Sequence, residues 1–75
     1  MRMRYLVVYE KATANVSAYS PDLPGCVAAG RTIEEARDNM RGAIELHLAG
    51  LREDGLPVPE GRGKDETGAE ILEVA

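Results

Sequence analysis

One histidine, His47, one cysteine, Cys26, and thirteen carboxylate side chains are the groups in this 75-residue chain whose chemistry extends beyond packing. A histidine works as a general base when a nucleophile lies within hydrogen-bond reach and a third group orients the ring. No serine, cysteine or carboxylate stands at a spacing from His47 that would do this, and His47 falls among apolar residues, so it reads as a partly buried residue near a helix end. Cys26 follows a Pro-Gly turn with no CxxC or Cys/His companion, the setting of a small buried side chain rather than a nucleophile or zinc ligand. Being single, it forms no internal disulfide. Asp22 sits between Ser20-Pro21 and Leu23-Pro24, where a carboxylate accepts local backbone amides and holds a loop, or faces a partner.

The elements that must position these groups follow from pattern. Arg4 to Tyr9 (RYLVVY) is aromatic and β-branched with apolar residues on both faces, as in a central strand. Leu6, Val7 and Val8 are all apolar, so the pattern leaves open which face meets the core. Asn15 to Ser20 alternates Val16 and Ala18 against Ser17 and Tyr19, which makes a hairpin with its turn near Ala12 to Asn15. Pro21 and Pro24 fix φ and remove amide donors while Gly25 permits a positive φ, so this segment is a shaped loop between strands. Cys26 to Arg31 is a third, short strand in which Gly30 marks its end or the close approach of another backbone.

Thr32 opens a helix with a capping box: its hydroxyl accepts from the amide of Glu35, and the Glu35 carboxylate reaches back to the Thr32 amide. Ile33, Ala36, Met40, Ala43, Ile44, His47 and Leu51 share one arc at ~100° per residue, with Glu35, Asp38, Gly42, Glu45 and Glu53 opposite. Asp54, Gly55 and Pro57 end the helix. Residues 60–68 (EGRGKDETG) have three glycines and no large apolar side chain, the composition of a mobile connection. Ile71 to Val74 can add a last strand, and the simplest return after a helix lays it parallel to the first through a right-handed crossover. The domain core is thus 1–59, with 60–75 as a mobile connection and either a final short strand of the same domain or a disordered tail.

A chain of this length forms one domain and buries only about 60% of the surface its unfolded form exposes, which favours self-association. The net charge of −4 disfavours sequence-independent attraction to phosphate backbones and favours a basic partner or plain solubility. No apolar run approaches the ~20 residues that span a bilayer, and MRMRYLVVYE lacks a cleavage site, so no membrane association is expected and the location is read as cytoplasmic.

The string YSPDLPGCVAAGRT, the helix opening TIEEA and the helix exit EDGLPVP together resemble the HicB-like antitoxin family, over roughly residues 3 to 60. That resemblance implies an α+β fold in the order β-β-β-α-β, a partial RNase H-like domain with one helix on a small antiparallel sheet. It implies a module that binds and silences HicA, a small basic toxin that cleaves messenger RNA. Many members carry a C-terminal DNA-binding domain; this chain ends at Ala75 before one, so no direct nucleic acid binding is expected.

An RNase H-type nuclease needs carboxylates converging on two metals ~4 Å apart, one acid coming from the middle of the first strand. That strand offers no acid before Glu10 at its end, and the helix acids fall mostly on the solvent arc, so no catalytic, cofactor or metal residue is assigned. Residues 1–31 carry Arg2, Arg4, Lys11 and Arg31 against Glu10 and Asp22, or +2. Residues 32–54 carry Arg37, Arg41 and Arg52 against six acids, or −3, so an acidic helix face is available to a basic toxin. Asp22, Leu23, Asp38, Glu45 and Leu46 are the expected partner-binding residues, with Leu46, off the core arc near Ala49 and Gly50, suited to a subunit contact in a homo-oligomer. The alternative is a solitary self-assembling or regulatory module that has lost its toxin.

Overall fold

The β-branched and aromatic run at the start of the chain becomes β1 (Met3–Lys11), and it is the strand against which two others pair in this computed structural model, which describes residues 3–59, Gly61 and residues 69–74. β2 (Val16–Tyr19), β3 (Val27–Gly30), α1 (Ile33–Glu53) and β4 (Ala69–Val74) follow, and the sheet order is β3-β2-β1-β4 with every pair antiparallel. The hairpin between β1 and β2 is closed by the amide of Ala12 donating to the carbonyl of Asn15 at 2.8 Å. Tyr5 and Val7 take the core side of β1 and are fully buried with Val16, Ala18, Leu72 and Val74. Leu6, on the opposite side by alternation, is buried outside that cluster.

The helix begins as its capping residues dictate: the amide of Glu35 donates to Thr32 Oγ1 at 3.1 Å. The Glu35 carboxylate accepts from the amide of Arg31 at 3.1 Å, one residue earlier than the Thr32 amide expected from the capping-box pattern. Gly30 lies so close beneath this turn that a Cβ there would stand 2.5 Å from the Ala36 nitrogen, the close backbone approach read from its position. Ala36, Met40, Ile44 and Leu48 are the buried stripe, one residue every turn, with Ile33, Ala43 and Leu51 packed at its edges. At the far end Gly55 adopts φ +69°, its amide donates to Arg52 and the amide of Leu56 donates to Leu51, so the last carbonyls are satisfied by a left-handed cap.

The final strand runs antiparallel to β1, not parallel as the simplest crossover predicts. The 21-residue helix carries the chain about 31 Å back along the sheet to the start of β1. There the Tyr5 hydroxyl donates to the Pro59 carbonyl at 2.8 Å, and a Cβ on Gly61 would meet the Arg4 carbonyl oxygen at 1.6 Å. β4 nevertheless begins at the other end, with Ala69 opposite Val8, and finishes with Val74 opposite Met3. Gly61 thus lies beside Arg4 and Ala69 beside Val8, so β4 runs back toward the start of β1. The expected mobile connection, 60–68, lies outside the described residues apart from Gly61. No helix among the described residues is long and apolar enough to cross a membrane.

Candidate partner-binding surface

The loop after β2 is built inward. Leu23 donates its amide to Ser20 at 3.1 Å and Cys26 donates to Leu23 at 3.0 Å, while Gly25 takes φ +85° between them. β2 pairs with β1 only from Val8 to Lys11, so the earlier residues of β1 lack a strand on that side. Asp22 enters this space, and its Oδ2 accepts from the amide of Leu6 at 3.0 Å. Asp22 is 8% exposed and Leu23 is 0% exposed. Leu23 therefore corrects the expectation that it meets a partner: its side chain belongs to the buried core cluster, in a loop turned by the bonds of Leu23 to Ser20 and of Cys26 to Leu23.

The outward face of α1 carries the other expected residues. Asp38, Glu45 and Leu46 are all exposed, together with Glu34 and Glu53. Arg41 Nη1 lies 3.7 Å from Asp38 Oδ1, an exposed pair worth little. Asp38 and Glu45 stand two turns apart on one line of the helix, and Leu46, 77% exposed, is displaced toward the β3 edge.

His47 and Cys26 line one hollow, which their sequence separation conceals. It is shallow, about 310 Å³, and is shared with Gly25, Val27, Ala43 and Leu46. Burial pushes the Cys26 thiol above its ordinary range, which keeps it protonated and a poor nucleophile. Among the described residues no three His, Cys, Asp or Glu side chains converge as a metal site would require.

A polar cluster that sequence reasoning missed fastens β4. The Tyr9 hydroxyl donates to Glu70 Oε1, and Arg37 forks onto the same carboxylate, Nε to Oε1 at 2.6 Å and Nη2 to Oε2 at 3.4 Å. The guanidinium also stands 6.0 Å from the centre of the Tyr9 ring. Burial and the bond to Glu70 push the Tyr9 pKa up to about 12. Burial pushes Glu70 upward too, but the bonds from Arg37 and Tyr9 outweigh it and hold the carboxyl below its ordinary value. Residues from β1, α1 and β4 thus meet at one carboxylate, and no local signal in the chain announces it.

The family described as the HicB_like antitoxin of bacterial toxin-antitoxin systems matches residues 5–70. The chain belongs to the HicB-like antitoxin family. A Haemophilus phage HP1 protein described as an uncharacterized 14.9 kDa protein in the rep-hol intergenic region is 38% identical over 58 residues, 77% of this chain but 44% of that protein. The chain thus spans less than half the length of that relative. The N-terminal domain of Burkholderia pseudomallei antitoxin HicB superposes with TM-score 0.76 and 28% identity, covering 97% of this chain and 96% of that one. A chain from a HicA3 and HicB3 toxin-antitoxin complex superposes with TM-score 0.72 and 26% identity, covering 97% and 96%. The partial RNase H-like order β-β-β-α-β expected of a HicB-like domain is the one observed.

Proposed function

We propose that this HicB-like domain is an antitoxin module that binds a small basic HicA-type ribonuclease toxin and masks it, contributing no chemistry and no cofactor of its own. The observation that carries this reading is the likeness, over 97% of the chain, to a chain from a HicA3 and HicB3 complex. The acidic outer line of α1, with Asp38 and Glu45, is the docking face, because its charge speeds encounter with a basic toxin and covers the surface that the toxin offers to RNA. Asp22 contributes by holding the neighbouring loop. With a net charge of −4 the module has no direct affinity for nucleic acid, and it works in the cytoplasm where messenger RNA is cut.

The test is co-expression with the basic protein encoded beside this gene, followed by capture on the tagged antitoxin. Growth rescue and a stable one-to-one or higher complex are expected; growth arrest that persists with both proteins soluble overturns the reading. A second reading, a self-assembling module without a toxin, is favoured by the exposure of Leu46. Light scattering separates the two, since an oligomer that captures no small basic protein fits only the second.

A further inference from the structure

We infer that Arg41 is the specificity anchor of the docking face on α1, where its guanidinium takes a carboxylate of the partner. This rests on the toxin reading above and adds the chemistry that a cognate toxin must present. Two arginines stand one turn apart on the β4 side of α1 and are used differently. Arg37 is engaged inside the molecule, its Nε and Nη2 forked onto the Glu70 carboxylate at 2.6 and 3.4 Å. Arg41 reaches further along the same strand, but its Nε meets only the Glu73 carbonyl, at 3.5 Å, and its Nη1 lies 3.7 Å from Asp38 Oδ1. Both contacts are long for a charged donor, whose good bonds fall at about 2.7 to 2.9 Å.

Among the described residues Arg41 makes no other polar contact, so most of the donors of its fork are left over. The side chain is held in place all the same, since it spans from α1 to the backbone of β4 and is only 42% exposed. A guanidinium that is positioned but unsatisfied is prepared to grip a carboxylate with two parallel bonds.

The neighbouring charges determine what kind of surface brings that carboxylate. Asp38 lies one turn before Arg41 and Glu45 one turn after it, both exposed, with Glu34 a turn before Asp38 and Arg52 in the last turn of the helix. The other charges on this side, Arg37 with Glu70 and Arg4 with Glu73, are paired within the fold. The centre of the face therefore reads acid, arginine, acid along about 10 Å of helix. A uniformly basic surface is drawn to Asp38 and Glu45 but sets like charge against Arg41 and covers its donors without an acceptor, which weakens binding. A basic surface with one carboxylate between two cations, each about 5 to 6 Å away from it, satisfies every position. Arg41 thus separates a cognate toxin from other basic proteins.

Binding kinetics of the intact chain with the basic protein encoded beside its gene test this, using Arg41→Met and Arg41→Lys. Removing a positive charge from an acidic face speeds encounter, so Arg41→Met is expected to associate about twofold faster at low salt and to dissociate at least about tenfold faster. Arg41→Lys keeps the charge but not the fork, so it should associate at the wild-type rate and dissociate at least about threefold faster. A purely structural role would instead lower the melting temperature of the free chain and leave dissociation unchanged. Unchanged dissociation in both variants overturns the anchor and leaves the toxin reading standing. In double-mutant cycles one exposed carboxylate of the partner, changed to its amide, is expected to couple to Arg41 by at least about tenfold, and coupling to none of them overturns the inference as well. A wild-type chain that forms no complex overturns both the anchor and the toxin reading.

Discussion

The carboxylate of Asp22 accepts the amide of Leu6 at 3.0 Å and so does for β1 what a backbone carbonyl of a longer β2 would have done. Because Asp22 is buried, removing it strands a main-chain donor away from water. Asp22→Ala is expected to lower the unfolding free energy by about 1 to 3 kcal/mol in urea titrations. Asp22→Asn, which keeps an acceptor oxygen, should lose less than half of that. Equal losses in the two variants would show that the charge, and not the acceptor, matters at this position.

The Tyr9–Glu70–Arg37 cluster gives β4 a signature at both ends of the pH scale. The folded state holds the Tyr9 proton more tightly than the unfolded chain, so this contribution is complete below pH 10 and is lost as pH rises toward about 12. Glu70 has the opposite sign: its lowered folded pKa gives stability that is present above the carboxylate's ordinary value of 4.5 and disappears as pH falls through the folded value. Thermal melts of wild type and Tyr9→Phe should therefore converge as the alkaline limb is climbed, and Glu70→Gln should flatten the acid limb. Near neutral pH Tyr9→Phe is expected to cost about 1 kcal/mol, the cluster being partly open to water. Parallel curves for wild type and Tyr9→Phe between pH 9 and pH 12 would remove Tyr9 from this account.

Glycines divide into those the fold needs and those it does not. At Gly30 a Cβ would press on the Ala36 nitrogen at 2.5 Å and on Glu35, all backbone or adjacent to it, so nothing yields cheaply. Gly30→Ala is expected to cost about 1 to 3 kcal/mol by displacing the start of the helix from β3. Gly42→Ala, with open space around it, should gain up to about 1 kcal/mol when measured at dilutions where the chain is monomeric. Calorimetric melting temperatures that move the same way in both variants would contradict the packing described here.

Local grammar was legible and distant contacts were not. Thr32, Glu35 and Gly55 announce both ends of α1 because capping uses residues within one turn of the boundary, and the apolar arc gives its inner face, although Leu48 had to be added to it from the structure. Val16 and Ala18 likewise give their own side of β2. The direction of β4 is the reverse of the one expected from the simplest crossover, because its antiparallel register against β1 rests on contacts far apart in sequence that no local pattern encodes. Leu23, expected among the partner-binding residues, is 0% exposed, because no period marks the inward side of a loop. Asp22 and Leu6, or Tyr9 and Glu70, are joined only by tertiary placement, and no periodicity encodes such pairs.

The acidic line of α1 provides the sharpest test of the toxin reading, because charge acts on encounter in a way that packing does not. Asp38 and Glu45 are exposed and outside the core, so reversing both should leave the fold intact and each change should move the unfolding free energy by no more than about 0.5 kcal/mol. Against a basic toxin the Asp38→Lys, Glu45→Lys double variant is expected to slow association by about tenfold at low salt. Raising ionic strength shortens the Debye length to about 8 Å at 0.15 M and should narrow the gap between variant and wild type. Stopped-flow association rates across a salt series read both effects. A gap that persists unchanged at high salt would mean that the two carboxylates act by direct contact rather than by steering, and no gap at any salt would move the docking face off this line of the helix.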